Sequence, residues 1–171
     1  MPDALRTLNW FAVYTQPRFE KKAHAELLRK GIEAYLPLQR ILKQWSDRKK
    51  WVEEPLFRSY LFVHITGKSY FDVLNTPGIV KYVTFESAAV PIPPKQIDAI
   101  RFYLLEERAE PMEPLEHLEP GTPVEVIRGP LRGLKGQLVN SRGQKRVRIE
   151  IEALGQYLNL TISIQDLQVL K

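Results

Sequence analysis

Four prolines, at 111, 114, 120 and 123, punctuate one acidic run, LEERAEPMEPLEHLEPGTP, and this run most restricts how the chain can fold. Prolines this close together exclude a regular helix and favour extended chain. The spacing therefore predicts a linker over 108–120 between two separately folded parts, 1–107 and 121–171. Charge follows the same division. Residues 1–104 carry sixteen basic and ten acidic side chains, 105–120 one and six, and 121–171 eight and four. Basic blocks of this size on either side of an acidic one suit a polyanion such as nucleic acid.

In the first part, WFAVYT from Trp10 reads as a strand. Pro17 suits the first turn of a helix that Gly31 can end, with Phe19, Ala23 and Leu27 as its buried stripe and Arg18, Lys21, Lys22, Arg29 and Lys30 outward. IEAYLPLQRILKQW is extended, SDRKK turns and WVEEP returns, which makes a hairpin with a basic tip. In EPLFRSYLFVHI, period two puts Leu61, Val63 and Ile65 on one face and Tyr60, Phe62 and His64 on the other. Two apolar faces require two covers, the second being a helix of the same domain or another protein. A short helix closed at Pro77-Gly78, a strand IVKYVTF and a last helix with Ile97, Ile100 and Tyr103 or Leu104 along one side complete an α+β fold with an antiparallel sheet.

The second part has six glycines, at 121, 129, 133, 136, 143 and 155, among short alternating β-branched runs. Each glycine would cost a helix interior about 1 kcal/mol relative to alanine, so a small five-stranded barrel is expected.

Residues that could carry catalysis do not assemble in the sequence. There is no cysteine, and His24, His64 and His117 lie far apart, so neither a metal site nor a cofactor is expected. Glu53 and Glu54 are adjacent and point to opposite sides of a strand. GPLRGLKGQL lacks the Gly-Lys-Ser/Thr of a phosphate loop. The start of the chain shows no export signal and no apolar run of about 18 residues, so a cytoplasmic monomer without a membrane span is expected.

Taken in order, NWFAVYTQPRFEKKAHAELLRKGIEAYLP, EPLFRSYLFVHI, LNTPGIVKYV and GTPVEVIRGPLRGLKGQL resemble the NusG family of transcription elongation and antitermination factors. The likeness spans an N-terminal NGN domain and a C-terminal KOW β-barrel, and EPLFRSYLFV is closest to the specialised RfaH-like paralogues. The resemblance implies a non-enzymatic factor that rides on RNA polymerase. Tyr14, Tyr60, Phe62, Phe85, Ile97 and Ile100 would then face the clamp helices of the largest subunit as an open aromatic hollow. Tyr70 and Phe71 would meet the gate loop of the second-largest subunit. Arg18, Lys22, Arg29, Lys30 and Thr76 would face upstream or non-template DNA. Leu154, Gly155 and Gln156 would form the KOW loop that touches either Rho or a small-subunit ribosomal protein. RfaH folds its KOW region as a helical hairpin; the six glycines predict β-structure here instead. A housekeeping NusG is the alternative within the family, and a KOW-type RNA- or ribosome-binding protein without polymerase contact is the alternative outside it.

Overall fold

The computed structural model describes residues 3–106, 120–141 and 144–171. Except for Pro120, the linker expected over 108–120 lies outside them. The chain falls into two compact units, Met1–Ile92 and Pro93–Lys171. The division therefore comes ahead of the third helix, where the sequence places it after residue 107.

The first unit is built on β1 (Asn9–Thr15). Helix α1 (Glu20–Arg29) follows, then β2 (Glu33–Tyr35), β3 (Leu38–Gln44), β4 (Lys49–Pro55) and β5 (Tyr60–Ile65). A short helix α2 (Tyr70–Leu74) leads to β6 (Ile79–Tyr82), β7 (Thr84–Phe85), β8 (Ala88–Ala89) and β9 (Pro91–Ile92). The main sheet runs β2-β5-β1-β6 with β9 also on β1, while β3-β4 and β7-β8 are separate two-stranded ribbons. β1 and β5 pair antiparallel with Phe11 opposite Val63 and Ala12 opposite Phe62. One face of this pair, with Phe11, Val13, Leu61, Val63 and Ile65, packs with Ala23 and Leu27 of α1 and with Val73 and Tyr82 into the core.

Helix α1 starts at Glu20, later than a first turn at Pro17 would place it, because Arg18 takes a left-handed backbone (φ 68°) that no helix can include. Its end matches the expectation at Gly31. The Gly31 N–H donates to Leu28 O and the Ile32 N–H to Leu27 O, at 2.9 and 3.0 Å, with Leu27 and Ile32 both in the core. This double bond pattern with its apolar clasp is the Schellman ending. Gly78, at φ 88°, is needed for a second reason: a Cβ there would lie 2.9 Å from Phe19 Cδ1, whereas one at Gly31 would meet nothing within 4 Å.

The second unit opens with α3 (Pro94–Glu106) and continues as β10 (Pro123–Val126), β11 (Lys135–Ser141), β12 (Gln144–Ile151), β13 (Gln156–Leu160) and β14 (Leu167–Val169). The five strands form one antiparallel sheet in the order β13-β12-β11-β10-β14, the small five-stranded β unit expected from the glycines. Val124, Val126, Leu138, Val147, Ile149, Leu158 and Leu160 are buried inside it. Helix α3 packs on β12 and β13, and both carboxylate oxygens of Glu106 accept from the Thr161 N–H, at 2.9 and 3.1 Å. Burial pushes the Glu106 carboxyl up to about 7, against the opposing effects of that N–H and of the Arg146 charge.

Three outcomes follow for stability. Replacing Gly31 by alanine incurs the left-handed backbone penalty alone, about 1 kcal/mol, while Gly78→Ala adds the collision with Phe19 and should cost on the order of 2–3 kcal/mol in denaturant titrations. Phe62 is fully buried, between Tyr35 (6.3 Å between ring centres) and Phe57 (6.1 Å). Phe62→Ala should therefore cost about 3–5 kcal/mol and exceed Val63→Ala, at about 2 kcal/mol, which overturns an open hollow at this position. For Glu106 the folded value lies above the usual 4.5, so the folded unit holds a proton that the unfolded chain has released. Its contribution is full at acid pH and is lost as pH rises from about 4.5 through 7. The drop in melting temperature between pH 5 and pH 8 should be smaller in Glu106→Gln than in the parent chain.

Candidate functional site

The core face of the β1-β5 pair is closed by α1, and its other face carries an aromatic ladder. Trp10 stands opposite His64 with the rings stacked 4.6 Å apart, and Tyr14 stands opposite Tyr60 with centres 4.5 Å apart. Burial, then the Tyr14 hydroxyl, pushes the Tyr60 phenol up to about 12, so Tyr60 remains neutral at neutral pH. The Lys81 ammonium lies 5.3 Å over the Tyr14 ring. Tyr14 and Tyr60 are both partly exposed. Phe62, between them and His64 along the strand, is not.

The apolar residues grouped by resemblance thus divide. Phe62, Ile97 and Ile100 are buried, the last two on α3 in the second unit, which corrects the open hollow expected of them. Phe85 is 70% exposed and Phe71 68% exposed. Phe85 is presented by the β7-β8 ribbon, whose two turn residues, Glu86 (φ 47°) and Ser87 (φ 65°), both take the left-handed region. Of the two residues on α2, Tyr70 turns inward to stack on Tyr82 at 4.3 Å and Phe71 stands out edge-on to it. Tyr70 is half-buried in that stack, and Phe71 is the more exposed of the two.

The cations expected to meet nucleic acid also differ among themselves. Arg18 and Lys22 are exposed, with the Lys22 ammonium 5.6 Å over the Phe19 ring. Arg29 is held by Glu26 at 2.7 Å, and that guanidinium lowers the Glu26 carboxyl below its usual range. Lys30 donates to Thr76 Oγ1 (3.0 Å) and to Asp72 O (3.1 Å). Thr76 is buried, and its hydroxyl donates to Asp72 O at 2.8 Å. It anchors Lys30 and has no surface for DNA, a correction to its expected role.

Sequence reasoning missed a cleft of about 520 Å³ lined by Arg18, Lys21, Lys43, Arg58, Glu20, Glu53 and Glu54. The buried Glu20 carboxylate accepts the Ser59 N–H at 2.8 Å, Lys21 donates to Glu53 O at 2.8 Å, and Lys43 pairs with Glu54. Ser59, like Arg18, has a left-handed backbone (φ 62°), so two strained residues flank one cleft. No local pattern in the sequence marks this cleft, because its lining is gathered from three separate stretches of the chain.

In the second unit, Leu154 is half-buried at the end of a short 3-10 turn, Gly155 caps it at φ 59°, and Gln156 is exposed. Beside this loop Tyr157 is exposed beneath the Arg148 guanidinium, 5.6 Å away, an exposed pair that the sequence did not single out. Among the described residues no group of three or more His, Asp or Glu side chains could hold a metal ion, and no helix is long and apolar enough to cross a membrane.

Comparison with known proteins supplies the family. The model described as "NusG: Transcription termination factor nusG" matches residues 8–101. The chain is 22% identical over 183 residues to the transcription termination/antitermination protein NusG of Staphylococcus carnosus, covering 99% of this chain and all of that protein. It is 24% identical over 187 residues to NusG of Staphylococcus aureus (strain Mu50), with the same coverage. A solved structure, "Domain interaction in Thermotoga maritima NusG", shares the fold at TM-score 0.50 and 18% identity, covering 96% of this chain and 98% of that one. With more than half its length matched by the family model and both NGN and KOW folds in place, this chain belongs to the NusG family of transcription termination/antitermination factors.

Proposed function

We propose that this protein binds RNA polymerase during elongation and promotes processive, antiterminated transcription, as a specialised RfaH-like member of the family. The observation that carries the reading is the set of aromatics left at the surface of the first unit: Phe85, Phe71 and the Tyr14–Tyr60 pair. Exposed aromatic rings on a folded domain are what an association hot spot requires. In this reading Tyr14, Tyr60 and Phe85 meet the clamp helices of the largest subunit and Phe71 meets the gate loop of the second-largest. Lys22 and Arg18 serve upstream or non-template DNA, and Leu154, Gly155 and Gln156 take Rho or a small-subunit ribosomal protein. The relatives bearing the plain NusG name along their whole length favour a second reading, a housekeeping elongation factor. In-vitro transcription through pause sites and on Rho-dependent templates separates the two. The specialised factor suppresses pausing and does not stimulate Rho; the housekeeping factor stimulates Rho.

The binding arm of the test uses core polymerase and a clamp-helix fragment. Phe85→Ala combined with Tyr60→Ala should weaken both interactions by about 30-fold, since buried aromatic anchors often contribute 2 kcal/mol or more. Lys22→Glu should weaken residence on an elongation complex and flatten its salt dependence while leaving the clamp-helix fragment bound. Unchanged polymerase affinity in the aromatic double variant would remove the proposal and leave an RNA- or ribosome-binding role.

A further inference from the structure

The β3-β4 hairpin is a two-stranded ribbon outside the main sheet. Its register pairs Arg40 with Glu53, Leu42 with Trp51 and Gln44 with Lys49, and these six side chains share one face. All six residues are exposed, Trp51 at 57% and Leu42 at 46%. The Arg40 guanidinium lies 5.4 Å over the Trp51 ring, and Trp45, 54% exposed, sits in the turn that its own N–H closes onto Arg48 O at 2.8 Å. The tip from Lys43 to Trp51 holds Lys43, Arg48, Lys49 and Lys50 against Asp47. Lys43 pairs with Glu54 on the face opposite Trp51.

A ribbon of two strands is marginal in water, and this one spends its largest apolar surfaces on solvent. We infer that the Trp51–Arg40 face and the Trp45 tip form a binding site for single-stranded nucleic acid. Exposed indoles flanked by cations offer what unpaired nucleotides present together, a free π-face and a neighbouring phosphate. Side chains on one face of a strand recur roughly every 7 Å. The Arg40–Glu53, Leu42–Trp51 and Gln44–Lys49 pairs therefore form three successive steps, with Arg40 and Lys49 the cations of this face, along which an extended strand can lay base and phosphate in turn. A duplex keeps its bases stacked internally and can use the cations alone; an acidic protein surface would leave the indoles without a stacking partner. The site does not depend on polymerase, and it is distinct from the cations of α1.

The test uses the full chain without polymerase. A 12-residue oligothymidylate, the matching oligouridylate and a 12-base-pair duplex are titrated while intrinsic tryptophan emission and the anisotropy of labelled oligonucleotide are recorded. Single strands should quench emission, and affinity should fall as salt rises from 50 to 200 mM. Whichever single strand binds more tightly identifies the natural source as DNA or RNA. Trp51→Ala with Trp45→Ala should weaken binding by at least about 10-fold and abolish the quenching, because the remaining Trp10 is buried against His64. Trp51→Phe should retain most of the affinity, and Lys22→Glu should leave the quenching in place. Absence of quenching in the parent chain, duplex binding as tight as single-strand binding, or parental affinity in the tryptophan double variant overturns the inference. The parent-chain quenching decides the matter even where the double variant fails to fold.

Discussion

The pairing of β1 with β5 is the interaction on which the rest of the first unit depends. Residues 10–13 and 61–63 are buried on both faces of the sheet, so a slip of one residue would exchange two differently shaped apolar surfaces. The register decides what each surface can hold. Ala12 lies opposite Phe62 and leaves room for its ring, which then reaches Tyr35 across β2 and Phe57 at the entrance to its own strand. The same register sets Tyr14 opposite Tyr60 at the end of the ladder, where the sheet meets solvent. A buried aromatic in the middle and a partly exposed pair at the edge are thus two consequences of one strand alignment.

At that edge the chain reverses three times and ties the reversals together. The Thr15 N–H donates to Ser59 O, the Gln16 N–H to Gly78 O, and the Ser59 N–H to the buried Glu20 carboxylate, all within 2.9 Å. Left-handed residues other than glycine cost on the order of 1–3 kcal/mol each and persist where their surroundings over-determine them. Arg18 and Ser59 have such surroundings. Lys21, bonded to Glu53 O, then joins the base of the β3-β4 hairpin to α1. The basic helix and the basic hairpin thus meet at one lysine-to-carbonyl hydrogen bond.

Much of this was legible in the sequence where a local rule suffices. Period two located β5 and assigned its faces, Gly31 ended α1, and six glycines excluded helix across the barrel. Failures came where the answer lies in tertiary structure. Alternation shows that Phe62 shares a face with Tyr60, but not that Tyr35 and Phe57 close over one ring and leave the other half open. Proline 17 suits a helix start, yet the left-handed Arg18 after it delays the helix. The resemblance has Thr76 face DNA, and only the fold reveals that Lys30 and Asp72 O enclose its hydroxyl. The prolines mark where regular structure cannot continue, and they follow α3 in the sequence.

The β7-β8 ribbon shows why exposure at Phe85 is informative beyond its area. A two-residue turn with both residues left-handed is accommodated best by Asn-Gly, and here Glu86 and Ser87 occupy it. A side chain as large as phenylalanine would gain roughly 2–3 kcal/mol from full burial, yet this one is left mostly in water. Both choices work against the stability of the free chain, and both act at one protruding corner. A ribbon shaped by stability alone would place a polar residue at 85 and glycine in the turn. In the proposed reading the favourable contacts of this corner are completed by a second molecule, as are those of the indoles on the β3-β4 hairpin. The two ribbons lie outside the main sheet, so each can carry surface that the β1-β5 core neither needs nor covers.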